Sequence, residues 1–251
     1  MKVSPGTVSL AFAQHFAKYA EGAAWTVPHH VEMWNSARQA FVHNDYEAFE
    51  IVYEEMRKRW QVFRGKKKRP TALELMARLK GLNARFANRK LSSLNREDAL
   101  PLWSVLKIMA DIKRLNDGPS VMVTSKFLHF WNPRLFVIVD KAMMWNWVFE
   151  HGWIWSPIKA LHLDLQASLP VEVRNDFDYK SDLGKYLSIL LWCGEFAREN
   201  PCLVTGFDDY IRNKSEDAGP LIPPDLNTYE AAAVGWFLLG AVELPPEGLI
   251  A

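Results

Sequence analysis

The sequence predicts a mainly α-helical protein, single-lobed or bilobal, on three observations. Apolar residues recur at three- and four-residue spacing along most of its 251 positions. Helix-starting and helix-ending residues flank those stretches. A short apolar run, LFVIV at residues 135–139, reads as extended, and one such run is too short to build a sheet alone.

Taken in order, residues 31–60 (VEMWNSARQAFVHNDYEAFEIVYEEMRKRW) carry the pattern of one or two amphipathic helices ending in a basic turn, which suits the helix dipole. The stretch RGKKKRP, 64–70, is a loop, because a glycine, four consecutive cations and a proline bury nothing. In TALELMARLK, Thr71 and Glu74 have capping-box spacing. A helix over 96–115 has Glu97 and Asp98 in its first turn and Pro101 near its start. Leu102, Val105, Leu106, Met109 and Ile112 recur on one face of it. LNDGPS, 115–120, is a short turn, and Pro119 is placed to open the next helix at its first position. That helix, about 119–130, is apolar nearly all round and is therefore buried. Asn132-Pro133 ends it, and Asp140, before KAMMWNWVFE, is a natural N-cap. SDLGKYLSILLWCGEFAREN reads as a core helix, 215–227 as a Pro/Asp-rich loop and 228–243 as a last apolar helix. With no internal repeat and no long linker, residues 1–251 read as one helical domain.

Hydrophobic residues make up 49% of the chain and charged residues 24%, a globular balance that argues against disorder. No apolar run approaches the roughly 20 residues of a membrane span, so no membrane partner is expected. The first residues, MKVSPGTVSLAFAQHF, make a poor signal peptide. Only Cys193 and Cys202 occur, which gives neither a disulfide framework nor a CxxC site. A cytoplasmic, reduced protein is expected. GxGxxG, Walker A, HExxH and GxSxG are absent, and the His29-His30 doublet lacks a matching acid or cysteine spacing. Neither a metal nor a cofactor is expected.

The formal net charge of +1 hides an asymmetry. Residues 57–96 hold 14 Lys/Arg against the single acid Glu74, whereas from residue 201 onward two basic residues face eight acids. Such a split describes either a polyanion-facing surface or a solvated basic helix face.

Two helices joined by LNDGPSVMV, then FVIVDKAMMW, form an order similar to the helix-hairpin-helix DNA glycosylases, especially 8-oxoguanine DNA glycosylase-like proteins. The resemblance covers roughly residues 96–150. It implies a helix-hairpin-helix glycosylase-like helical fold with 96–150 as its core, and a nucleoid-associated protein that acts on a base flipped out of duplex DNA. It implies that Gly118 and Ser120 lie at the hairpin, where backbone N–H groups meet DNA phosphates. It also implies that Asp140 is the catalytic carboxylate, stabilising the cationic sugar as the base leaves or helping to activate a nucleophile. As read from the residues, Asp140 is equally an ordinary helix cap.

The pattern departs from that family in two places. The hairpin tripeptide is Asp117-Gly118-Pro119, where the family usually has two glycines. Its Schiff-base lysine, about a score of residues before the aspartate, is replaced by Ser120 and Val121. Lys126, over one helical turn further on, is a relocated catalytic lysine, a contact to a phosphate or a modified base, or a side chain snorkelling its charge to solvent. His129, Trp131, Trp145 and Trp147 are the candidate base pocket, with a satisfied core histidine the plainer reading of His129. Lys66, Lys67, Lys68 and Arg69 are the candidate phosphate contacts. The competing function is a non-catalytic helical module that binds nucleic acid or protein.

Overall fold

The computed structural model describes residues 1–19, 27–60, 62–63, 69–82, 84–110, 120–139, 148–149, 151–175, 177, 181–215, 229–241 and 244. Its elements are α1 Pro5–Tyr19, α2 Val27–Val42, α3 Tyr46–Lys58, α4 Ala72–Lys80, α5 Ala99–Ala110 and α6 Val121–Trp131. They continue as α7 Gly152–Ser168, the single turn α8 Val171–Arg174, α9 Asp182–Glu199, α10 Cys202–Ser215 and α11 Glu230–Ala241. The protein is mainly α, and no strand occurs among the described residues.

Local chemistry sets most of the helix ends. The stretch 31–60 divides into α2 and α3 at His43-Asn44-Asp45. Asn44 takes a left-handed φ of 58°, which asparagine tolerates, and the Asp45 side chain caps α3 by accepting from Ala48 N at 3.1 Å. The Thr71–Glu74 capping box opens α4 as expected. The helix expected over 96–115 begins with a 3-10 turn, Arg96–Asp98, before α5 starts at Ala99. Pro119, expected to open the following helix, lies outside the described residues. Ser120 is the N-cap of α6, accepting from Val123 N at 3.4 Å, and the helix starts at Val121, because a serine hydroxyl satisfies an orphan N–H that proline cannot.

Packing is organised around two buried helices. α9 is buried along nearly its whole length and meets α5, α7 and a 3-10 turn at Leu91–Ser93. α11 is buried on every face and lies along α1 and α10. Around this pair, α2 contacts α3, α6 and α10, and α6 contacts α5. Residues 135–139 form no ladder; Leu135, Phe136, Val137 and Val139 are fully buried, and Tyr186 of α9 donates its hydroxyl to Val137 O at 2.8 Å. Burial also pushes the Cys193 thiol up, which keeps it neutral and unreactive. No helix among the described residues is long and apolar enough to cross a membrane.

Candidate functional site

α6 carries the polar groups singled out in the sequence, and its apolar surround buries them. Lys126 is 5% exposed. Its ammonium lies over the Trp60 ring, 5.3 Å from the centroid, so its charge meets the negative face of an aromatic rather than reaching into solvent. Trp60 in turn packs on His30 (5.3 Å) and Phe130 (5.7 Å). Lys126 therefore belongs to an aromatic and histidine cluster shared by α2, α6 and the turn after α3.

One residue earlier, Ser125 holds the chain that leads to Asp140. Its Oγ accepts from Val139 N at 3.1 Å and lies 3.2 Å from both Val139 O and Met122 O, to either of which it can donate. The buried approach 135–139 is thus fastened to α6 immediately beside Lys126. Sequence periodicity shows an apolar run there but cannot show this fastening, which depends on a small hydroxyl facing a backbone 14 residues away.

His129 is a satisfied core histidine. Trp34 donates its indole N–H to Nε2 at 3.0 Å, and an indole can only donate, so Nε2 is the bare nitrogen. Nδ1 therefore carries the proton and donates to Phe136 O at 2.7 Å. Burial pushes the imidazole down to about 4, partly opposed by the Phe136 carbonyl. The unfolded chain takes up this proton first, near the ordinary value of 6.5. Stability from this residue is complete above about pH 6.5, declines as pH falls towards 4, and amounts to about 3 kcal/mol over that window. Urea denaturation between pH 7 and pH 4 should show this decline. It should be correspondingly smaller in His129→Gln, which keeps an acceptor for Trp34 but does not titrate.

Six cations of the basic segment 57–96 are paired with acids that flank it or lie further along the chain. Glu54 pairs with Arg57 (2.5 Å) and Lys58 (3.2 Å), and these partners hold its carboxyl down to about 2. Glu55 pairs with Arg59 at 3.0 Å, and Arg96 meets Asp164 at 3.4 Å. Asp98, expected only in a helix first turn, is fully buried between Arg85 (2.5 Å) and Arg89 (2.9 Å) and also accepts from Asn95 N at 3.0 Å. Its Asn95-x-x-Asp98 capping spacing was visible in the sequence, but its two arginine partners were not. The same segment is sewn to the turn after α6, where Asn132 Nδ2 donates to Phe86 O (2.6 Å) and Arg89 O (2.9 Å).

Beside this seam opens a cleft of about 550 Å³ between α2, the end of α4, the 84–88 segment and the end of α6. Trp34, Phe41 and Trp131 give it aromatic walls; Arg38, Lys80 and Arg134 give it positive charge; no Asp or Glu lines it among the described residues. Tyr229 stacks on Trp34 at 4.2 Å and holds that ring in place. Of the proposed base-pocket residues, Trp131 lines this cleft, whereas His129 supports Trp34 and is not among the lining residues. The set Trp34, Ala37, Arg38, Phe41 falls at three- and four-residue spacing on α2, a signal present in the sequence but indistinguishable there from an ordinary amphipathic face.

Arg69 is exposed after the described gap, and Ser120 is half-buried as the α6 cap. Asp140, Gly118, Lys66, Lys67, Lys68, Trp145 and Trp147 lie outside the described residues. No group of three or more His, Cys, Asp or Glu suited to a metal ion occurs among the described residues. Comparison with protein-family models, with curated proteins and with solved structures returned no match.

Proposed function

We propose that the chain is a DNA glycosylase-like protein that takes a damaged or modified base out of duplex DNA and cleaves its N-glycosidic bond. In this reading α5 and α6 are the two helices of a helix-hairpin-helix motif joined through residues 111–119. The Ser120-capped start of α6 belongs to the phosphate contact. The C1′–N bond breaks with its electron pair leaving on the base, Asp140 stabilises the cationic sugar, and water adds at C1′. Lys126 assists from α6, either electrostatically or as an amine nucleophile.

The observation that supports this reading is the Ser125–Val139 fastening. It ties the backbone immediately before Asp140 to α6 at the residue next to Lys126, in surroundings stripped of water. Charge in such surroundings acts with little screening, as stabilisation of an oxocarbenium ion requires.

Duplexes carrying 8-oxoguanine, an alkylated base or a hypermodified base test the proposal by release of free base. Release is expected from the unaltered protein and is lost in Asp140→Asn; release that survives this change overturns the assigned mechanism. A borohydride-trapped DNA adduct that persists in Lys126→Ala overturns the nucleophile role of the lysine. Binding with a steep salt dependence but no base release from any duplex assigns the protein to the non-catalytic binding class instead.

A further inference from the structure

We infer that the cleft between α2 and the end of α6 is a binding site for a nucleotide, with the base against its aromatic walls and the phosphate against its cations. The inference goes beyond the glycosylase reading, since Lys126 is not among the residues that line the cleft.

Three observations carry it. The first is size and shape: about 550 Å³ lies within the roughly 300–1,000 Å³ typical of small-ligand sites. The second is the chemistry of the walls. Phe41 and Trp131 are only half-buried, so their rings are open to a flat partner. Trp131 is backed by Phe136 at 5.9 Å and Phe41 by Phe49 at 5.6 Å, which fixes both rings before a ligand arrives. Flat, preorganised rings favour a planar ligand, and base–aromatic stacking tolerates any base.

The third is the distribution of charge. Arg57, Lys58, Arg59, Arg85, Arg89 and Arg96 are each paired with an acid. Arg38 and Lys80, on separate helices at the cleft, are among the described cations with no ion pair to another described residue. Arg134 adds a third cation from the turn after α6, and no Asp or Glu lines the cleft among the described residues. Phosphate is the anion that point charges and guanidinium forks converging on one cavity suit. An extended acidic peptide would use the cations but not the aromatic walls.

The nucleotide can be free or belong to a strand, and titration calorimetry separates the two. The four deoxynucleoside monophosphates, the matching deoxynucleosides, inorganic phosphate and a 5′-phosphorylated single-stranded oligonucleotide are the probes. At least one monophosphate is expected to bind roughly tenfold or more tighter than its nucleoside or phosphate alone, because stacking and charge act together. Arg38→Ala and Lys80→Ala, both at exposed positions, should each weaken it by roughly tenfold. Trp131→Ala should reduce the preference for nucleotide over phosphate. Competition by the oligonucleotide for the Arg38-dependent site assigns the nucleotide to a strand, and competition by monophosphates alone assigns it to the free pool. Absence of monophosphate binding at millimolar concentration overturns the inference. So does binding indifferent to both Arg38→Ala and Lys80→Ala, or phosphate binding as tight as the monophosphate.

Discussion

Replacing Gly240 with alanine is expected to lower the melting temperature by roughly 10 °C or more, through the loss of about 4 kcal/mol. A Cβ at this position would stand 1.8 Å from Ala11 O, 2.6 Å from Ala11 C and 3.1 Å from His15 N. Every obstacle is backbone of α1, so no rotamer change relieves the overlap, and α1 must move off α11 by more than about 1 Å in an interior packed at crystal density. The displacement would not stay local. His15 stacks on Trp236 at 4.8 Å, and Trp236 meets His30 at 5.2 Å, the histidine that packs on the Trp60 ring beneath Lys126. Gly206→Ala is the matched control. There the added carbon meets Val8 Cγ1 at 2.6 Å, a side-chain methyl rather than backbone, and a smaller loss of about 2 kcal/mol is expected. Thermal unfolding of both variants checks the contrast; equal losses would mean that the α1–α11 seam is no tighter than the α1–α10 contact.

The fold was legible in the sequence wherever one segment contains its own signal. Thr71 and Glu74 cap each other three residues apart, and the apolar stretches that became α6, α9 and α11 announce burial by their own composition. What could not be read depends on partners distant in the chain. The basic run 57–96 suggests a polyanion surface because Glu54, Glu55 and Asp98 fall just outside it, yet those acids form five ion pairs with its arginines and lysines. Lys126 posed a choice between solvent and core that helical periodicity leaves open, since a lysine stem is compatible with either; the Trp60 ring that receives its charge lies 66 positions earlier. The cleft was hidden for the same reason. Its walls come from residues near 34, 80, 88, 131 and 229, and only folding brings them together.

Replacing Asp98 with alanine is expected to cost about 4 kcal/mol, because it removes the shared partner of a buried charge network. The carboxylate is wholly inaccessible and accepts from Arg85 Nη2, from Arg89 Nη1 and Nη2, and from Asn95 N. Arg85 is 45% exposed and can turn towards water, but Arg89 is only 26% exposed and is held by Ser93 O as well, so its charge stays partly desolvated without a counter-ion. Asp98→Asn keeps the volume and an acceptor oxygen, and is expected to recover only part of the loss since it removes the negative charge that the two guanidiniums share. The consequence reaches the cleft: Arg89 O is one of the two carbonyls that Asn132 holds, and residues 84–88 form one wall. Asp98→Ala should therefore weaken nucleotide binding as well as stability, although Asp98 does not line the cleft. Denaturation and calorimetry on the same preparation measure both. A stability loss under about 1 kcal/mol would show that the arginines find water as readily as they find Asp98. Full loss of stability with nucleotide affinity unchanged would show that the 84–88 wall is held by Asn132 alone.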